Sequence, residues 1–262
     1  MAFDLEKFAV MSEPVEWEDL DFNLFESQPL DADTLRSIRY MCDIEYHTSC
    51  NLRDLLVTPS REEPAAAGFM TMWNREEFWH GEALAAVLRR HGILVDYEHL
   101  TTKRVKLGWT QALGPLKQSV LSGLVGTDFV AVHMAWGATN ELSAVAAYRR
   151  LSAMTDHPTL TPLLARIAQQ ETRHVAFYTT QARERLEASP KARAATRLAL
   201  SRAWRPVGSG IMPDSEVTHV LRQLFAGRGE DIAALDRKVR KLPGLEDLSL
   251  FRNAFQRMNI RI

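Results

Sequence analysis

Apolar residues recur every three or four positions along most of the chain, which is the period of an α-helix, and strand-like alternation is scarce. Prolines, glycines and short polar runs divide this pattern into segments. Four of the segments are long enough for extended helices, from Asp31 or Asp33 to about Val57, from Pro64 to about Arg90, from about Lys117 to Met154, and from about Thr159 to Ala188. Their connections are short or moderate, so we expect an all-α fold built on an antiparallel four-helix bundle.

The rest of the chain is predicted to add helices at both ends of this bundle. Shorter helices are expected near 191–203, 214–226 and 230–241, and the acidic first 35 residues are expected to form an ordered arm over the bundle. A loop of about two dozen residues should join the second long helix to the third. Because the long helices form one core unit, we expect a single domain over 1–262, with a core of about 31–188 and a C-terminal helical extension of about 190–262.

The composition is ordinary for a soluble globular protein, with 46% hydrophobic and 25% charged residues. The net charge of −1 provides no general attraction to nucleic acid or to a membrane surface. The two cysteines, Cys42 and Cys50, lie eight apart, which is neither a zinc spacing nor a disulfide framework. We therefore expect a reducing compartment and no nucleic-acid partner.

Neither the N-terminus nor the most apolar stretch has the pattern of a membrane segment. The first ten residues, MAFDLEKFAV, lack the basic and then apolar pattern of a signal peptide. The stretch 118–148 contains Asp128, His133 and Glu141, which makes it a poor membrane span. A cytoplasmic protein without a membrane span is expected.

Each of the four long apolar stripes is interrupted by ionisable side chains. Residues at i and i+3 lie on the same side of a helix, so a Glu and a His at that spacing can direct their donor atoms to one point. A buried carboxylate is costly unless something compensates its charge, and four helices that share this anomaly indicate a common cation. The interruptions are Glu45 in the first helix, Glu77 and His80 in the second, Glu141 in the third, and Glu171 and His174 in the fourth.

Four carboxylates and two imidazoles are the ligand set of the dinuclear sites in ferritin-like di-iron proteins. The carboxylates can neutralise two divalent or trivalent ions, and the neutral imidazoles limit the negative charge and suit iron. The sequence therefore predicts a site for two iron ions, with manganese at one of the positions as an open alternative.

A single Glu-x-x-His pair is a weak signal, since 19 Glu and 8 His in 262 residues produce roughly half an occurrence by chance. The run Glu216-Val-Thr-His219 has the same spacing, but Val217 and Val220 place the apolar face elsewhere, and a solvated pair is predicted there. Glu76 is a second ambiguity, because Glu76 and His80 form a permissible i,i+4 pair. Glu77 is preferred as the ligand because it lies in the apolar stripe, but the choice between the two glutamates stays open.

Two motifs resemble those of the soluble acyl-ACP desaturases. Residues 73–81, WNREEFWHG, resemble that family's W-x-x-E-E-x-x-H-G, and residues 167–178, IAQQETRHVAFY, are similar to its I-A-x-D-E-x-R-H-x-x-x-Y. The resemblance covers roughly residues 30–190, and in length the chain is closer to the shorter actinobacterial members.

The resemblance implies a ferritin-like bundle that holds two irons, with the six interrupting residues as ligands. It also implies an enzyme of fatty acid metabolism, most often a homodimer, that takes electrons from a ferredoxin-type donor. Such an enzyme removes two hydrogens from an acyl chain on acyl carrier protein or another acyl carrier. At Gln170 the family commonly has Asp, and this departure is expected to weaken a hydrogen bond to a ligand histidine.

Other functions and residues stay open at this point. The same cluster could serve a hydroxylase or N-oxygenase acting on another biosynthetic intermediate, or a non-catalytic ferritin-like metal-binding protein. Tyr178 is a candidate redox-active phenol or a core residue, and Trp73 a candidate for electron transfer or for packing. The basic run over 183–205 could bind acidic acyl carrier protein or form a solvated face.

Overall fold

The computed structural model describes residues 3–95 and 114–262, and in these residues helices dominate and no strand occurs. This result confirms the all-α prediction. Two short 3₁₀ turns, Pro59–Glu62 and Gly126–Asp128, separate some of the helices. The helices are α1 Leu5–Met11, α2 Leu24–Ser27, α3 Ala32–Leu55, α4 Pro64–Arg90, α5 Gly114–Val125, α6 Phe129–Met154, α7 Leu160–Ala188, α8 Pro190–Ala203, α9 Asp214–Phe225, α10 Gly229–Val239 and α11 Leu250–Arg257.

The start and stop signals in the sequence place the long helices to within a few residues. Asp31 caps α3, because its Oδ1 accepts a hydrogen bond from the Thr34 backbone N–H at 2.9 Å. The hydrogen bonds from Thr34 lower the pKa of the Asp31 carboxyl. Helix α4 begins at Pro64, where a missing N–H has no cost, and is followed by Gly92 at a φ of +71°.

The third long helix is not continuous, contrary to the prediction of one helix from about Lys117 to Met154. The turn Gly126–Asp128 separates α5 from α6, and Gly126 has a φ of +71°. That left-handed conformation cannot belong to an α-helix, and glycine adopts it without a steric penalty. Most of the loop predicted between the second and third long helices lies outside the described residues.

The chain folds into two compact units. The first unit consists of Leu5–Val120 and Ala147–Gln170, and the second of Met1–Asp4, Leu121–Ala146 and Glu171–Ile262. Helices α6 and α7 each contribute residues to both units. The single domain expected from the sequence stays a prediction.

In the first unit, α3 and α4 pack against each other closely at Gly81. A Cβ atom at Gly81 would come within 2.8 Å of the Tyr46 ring, so only glycine fits without displacement of that ring. The Tyr46 hydroxyl donates a hydrogen bond to Glu82 Oε1 at 2.5 Å, and the Cys42 thiol contacts the Gly81 carbonyl. The close packing of α3 against α4 therefore explains why a glycine, Gly81, follows His80 in the motif.

The acidic N-terminal segment lies as an ordered arm on the helices of the first unit. The Phe8 ring packs on Phe69, and Trp17 packs on Trp79, with ring centroids 5.3 Å and 5.9 Å apart. The Arg166 guanidinium binds both oxygens of the Asp19 carboxylate, at 2.6 Å and 2.7 Å. The helices α1 and α2 within this arm were not predicted from the sequence.

In the second unit, the C-terminal extension folds through polar contacts as well as apolar ones. Asp236 in α10 is buried and accepts hydrogen bonds from the backbone N–H groups of Phe251 and Arg252, at 2.9 Å and 3.2 Å. These are orphan donors in the first turn of α11, so Asp236 acts as a cap from a distant part of the sequence. The Arg197 guanidinium forms a bidentate pair with Asp247.

Residues Pro115–Met154 are the one segment of the described chain that is long and apolar enough to cross a membrane. Within its most apolar stretch, 47% is buried inside the fold. The core helices of soluble proteins commonly have this length and composition. The absence of a membrane span therefore stays a prediction.

Candidate metal centre

All six predicted ligands are buried, and none has more than 6% of its surface exposed. They are the four glutamates Glu45, Glu77, Glu141 and Glu171 and the two histidines His80 and His174. Buried acids and histidines at these positions agree with the interrupted stripes of the sequence.

In the first unit, Glu45 of α3 faces His80 of α4. His80 Nδ1 lies 3.8 Å from Glu45 Oε2, and His80 Nε2 lies 2.7 Å from Gln170 Oε1. An amide oxygen can only accept a hydrogen bond, so Nε2 must carry the proton. The Nδ1 lone pair is then directed towards the carboxylates, as metal ligation requires.

In the second unit, His174 of α7 faces two carboxylates. Its Nδ1 lies 3.1 Å from Glu171 Oε2, one helical turn earlier, and 3.9 Å from Glu141 Oε2 on α6. Both histidines therefore present Nδ1 to the acids. The two Glu-x-x-His motifs have the same arrangement of donor atoms.

The donor atoms of these residues form two overlapping clusters. Those of Glu45, Glu77, His80 and Glu171 all lie within 4.8 Å of one another, and so do those of Glu77, Glu141, Glu171 and His174. Glu77 and Glu171 belong to both clusters, whereas each histidine belongs to one. Each cluster thus offers one imidazole and three carboxylates, two of which are shared.

This donor set fits two metal ions. Four carboxylates this close together and this deeply buried need positive charge nearby, and two divalent ions would match them. Mixed carboxylate and imidazole ligands suit iron and manganese better than thiolate-preferring metals. The buried clusters are able to bind a di-metal cofactor.

The structure separates the two adjacent glutamates of α4. Glu76 and Glu77 are both buried, but only Glu77 places an oxygen in the clusters. This geometry favours Glu77 as the ligand. The pair Glu216 and His219 is half-buried and enters no such cluster in the described parts of the chain.

Gln170, which stands where the desaturases commonly have Asp, makes the hydrogen bond to His80 that was expected to be weak. Its Oε1 accepts from His80 Nε2, and its own amide Nε2 donates to the Glu13 carbonyl at 3.2 Å. The second contact fixes the orientation of the amide, because the nitrogen and the oxygen each have a partner of the right kind. The neutral amide of Gln170 thus orients the His80 ring, a role that a carboxylate would have in the desaturases.

Substitution of Gln170 by leucine is expected to lower the affinity for metal about 10- to 100-fold, because His80 loses the acceptor that fixes its tautomer. Competition between the protein and a chelator for Mn(II) measures the effect. Gln170→Glu should restore most of the affinity, and Gln169→Leu, at the exposed neighbouring position, should leave it unchanged. Equal affinity in Gln170→Leu and wild type would show that the hydrogen bond plays no part.

Tyr148 is a functional candidate that the sequence did not single out. Its hydroxyl donates a short hydrogen bond to Glu45 Oε1, and the side chain is buried. This contact holds one oxygen of Glu45 and leaves Oε2 on the side of His80. Tyr148 lies seven residues after Glu141, two turns along the same face of α6, where the sequence pattern is that of an ordinary apolar stripe.

The remaining candidates lie in packed surroundings. Tyr178 is buried, packs edge-on against His133, and covers Gly137, where a Cβ atom would collide with its ring. Burial, together with the positive charge of Arg185, lowers the pKa of His133 to about 3, so its imidazole is neutral. Trp73 is also buried. These positions are typical of core side chains.

A cleft of about 410 Å³ lies between α3 and α4 and reaches Glu45. Thr48 and Leu52 line it from α3, and Arg75 and Phe78 from α4. The sequence did not predict it, because a cleft depends on how two helices are spaced.

No protein-family model matches this chain, and no curated protein matches it either. Among solved structures, the chain is similar to an R2-like ligand-binding oxidase with an aerobically reconstituted Mn/Fe cofactor. The TM-score is 0.54 at 14% sequence identity, and the match covers 99% of this chain and 90% of that one. At this identity the likeness shows the fold, and it confirms the ferritin-like architecture. Membership of the acyl-ACP desaturases stays a prediction.

Proposed function

We propose that this protein is an O₂-dependent oxidoreductase that uses two metal ions, both iron or one iron and one manganese. The observation that carries the proposal is the pair of overlapping buried clusters, each with one histidine and shared glutamates. The structural relative is itself described as an oxidase with a Mn/Fe cofactor, which agrees with the proposal.

The ligand roles follow from cluster membership. Glu45 and His80 would hold one ion and Glu141 and His174 the other, and the shared residues Glu77 and Glu171 would contact both. The bound ions would supply the redox chemistry by which O₂ is reduced and a substrate carbon or nitrogen is oxidised. The chain's own part is to bury the donors, to exclude water and to orient His80 and Glu45 through Gln170 and Tyr148.

For the substrate, we propose an acyl chain on acyl carrier protein, which the enzyme would desaturate with electrons from a ferredoxin-type donor. The two desaturase-like motifs support this proposal. Arg183 and Arg202 of the basic run are exposed and could bind an acidic carrier. Arg193 and Arg197 are less suited, because they bind the Leu186 carbonyl and Asp247 within the fold. A homodimer is part of the same proposal.

Oxygenation of a small molecule is the second candidate, and the cleft between α3 and α4 favours it. The cleft opens beside a cationic side chain, Arg75, and reaches a proposed ligand, Glu45. A hydroxylase or N-oxygenase would use such a site to bring a small-molecule substrate next to the ions.

The two candidates can be separated by product analysis. Metal-loaded protein is reduced anaerobically, mixed with acyl carrier proteins that bear chains of different lengths or with small organic acids, and exposed to O₂. Mass spectrometry then detects loss of two hydrogens or gain of one oxygen atom. Desaturated acyl chains support the first candidate, and oxygenated small molecules the second. Two bound ions with no O₂ consumption would contradict both and indicate a non-catalytic metal-binding protein.

A further inference from the structure

The cleft between α3 and α4 is formed by two facing helical stripes in the first unit. Glu45, Thr48 and Leu52 follow one another at helical spacing on α3, and Thr71, Arg75 and Phe78 do so on α4. Its volume of about 410 Å³ lies in the range typical of small-molecule sites. The cleft therefore leads from exposed residues of α4 to Glu45, one of the residues of the candidate metal centre.

The hydroxyl groups along the walls of the cleft already donate hydrogen bonds to backbone carbonyls of their own helices. Thr48 donates to the Glu45 carbonyl at 2.6 Å, Thr71 to the Ala67 carbonyl at 3.1 Å, and Ser49 to the Tyr46 carbonyl at 3.0 Å. A molecule in the cleft would therefore meet mainly carbon, including the Leu52 side chain and the Phe78 ring, which is 38% exposed. These walls suit an apolar body.

Arg75 is the cationic residue among those that line the cleft. One guanidinium nitrogen donates to the Ser12 carbonyl at 3.0 Å, which holds the side chain in place. Arg75 makes no ion pair with any acid in the described part of the chain. The guanidinium has further N–H donors, and its planar fork suits a carboxylate.

We propose that this cleft is the substrate site, and that it binds a small carboxylic acid with an apolar body. The carboxylate pairs with Arg75, and the opposite end of the molecule lies towards Glu45 and the ions. This inference rests on the second candidate function, oxygenation of a small molecule, since it assigns that substrate's class and its orientation at the same centre.

Calorimetric titration of the metal-free protein tests the recognition step. Octanoate and 4-phenylbutanoate should bind about tenfold more tightly than octanamide and 4-phenylbutanamide, because a charge-assisted hydrogen bond is lost with the amides. Arg75→Gln should remove this preference. Arg61→Gln is the matched control, since Arg61 is exposed in the same unit and pairs with Glu62 away from the cleft. Equal binding of acid and amide to wild type, or an unchanged preference in Arg75→Gln, would overturn the proposal.

A second variant tests the place of binding. Thr71→Phe should fill the cleft and weaken the binding of acid and amide alike, and the exposed position of Thr71 allows the protein to fold. Circular dichroism checks the fold. A correctly folded Thr71→Phe protein that binds octanoate as wild type does would place the ligand elsewhere and overturn the proposal.

Proton relaxation tests the orientation. In protein loaded with Mn(II), the terminal methyl protons of octanoate should be broadened more than the protons next to the carboxylate, because the carboxylate lies at Arg75. The opposite gradient would mean that the carboxylate lies at the ions, and it would overturn the proposal.

Failure of the metal centre and failure of the cleft give different results. Mn(II) uptake tests the metal centre without any organic ligand, and titration of metal-free protein tests the cleft without any metal. Normal uptake with no octanoate binding would refute the cleft alone. Octanoate binding with no Mn(II) uptake would refute the proposed function and leave the cleft as a binding site only.

Discussion

Replacement of either shared carboxylate, Glu77 or Glu171, by alanine is expected to abolish the binding of both metal ions. Each of these residues has an oxygen in both clusters, so its loss removes a ligand from both positions at once. Glu45→Ala and Glu141→Ala remove a ligand from one cluster only, and these variants should retain about one ion per chain. Metal content after reconstitution with Fe(II) under anaerobic conditions, measured by plasma mass spectrometry, distinguishes the two classes of variant.

The chain provides a control for this result. Glu216 belongs to a third Glu-x-x-His motif that enters no cluster in the described residues, so Glu216→Ala should bind as much metal as wild type. Two ions retained in Glu77→Ala and Glu171→Ala would contradict the assignment of the shared ligands.

Removal of charge at the shared positions is expected to stabilise the metal-free protein while it abolishes the stabilisation by metal. Without ions, the buried carboxylates repel one another, and the double variant Glu77→Gln with Glu171→Gln lowers that repulsion at almost constant volume. We expect its free energy of unfolding in a chelator to rise by about 1–4 kcal/mol. Wild type should instead gain about 4 kcal/mol at a free metal concentration of about a thousand times the dissociation constant.

Urea unfolding with chelator and with excess Mn(II) measures both effects. Glu184→Gln with Glu187→Gln removes the same charge from exposed positions of α7 and should change the stability by no more than about 0.5 kcal/mol. A double variant at positions 77 and 171 that is still stabilised by Mn(II) as strongly as wild type would refute the predicted role of these residues.

The burial and clustering of these six residues could be predicted from the sequence, because acids in an apolar stripe violate the pattern that burial imposes. Glu45 and Glu141 belong to no Glu-x-x-His pair, and they became informative only because two other helices contain such pairs at buried positions. Glu216 and His219 have the same spacing without that pattern, and the structure leaves them outside the clusters. The spacing and the apolar pattern together therefore predicted which Glu-x-x-His pairs join the buried clusters, and the spacing alone could not.

Contacts between distant parts of the chain were not predictable in the same way. Tyr148 fits an apolar stripe as well as any core tyrosine, and its partner Glu45 lies 103 positions away. The N-terminus of α11 depends on Asp236, which lies fifteen residues before Phe251. The break at Gly126 depends on a left-handed conformation, and a single glycine in an apolar run is not enough to predict it.

The motif resemblance and the structural likeness agree on the ferritin-like bundle, and the likeness, at 14% sequence identity, shows the fold alone. The motifs favour desaturation of an acyl chain, which stays a proposal. The sequence motifs around the six buried residues indicate how a di-metal site would be built. The choice of substrate depends instead on cavities such as the cleft at Arg75. Product analysis with acyl carriers and with small acids therefore decides the reaction.

The central claim is that the six buried side chains hold two ions, and anomalous X-ray diffraction at the iron edge tests it most directly. Crystals of protein reconstituted with Fe(II) should show two anomalous peaks about 3.5–4 Å apart. One peak should lie next to Nδ1 of His80 and the other next to Nδ1 of His174, with Glu77 and Glu171 between them. A single peak, or peaks only at surface residues, would contradict the claim.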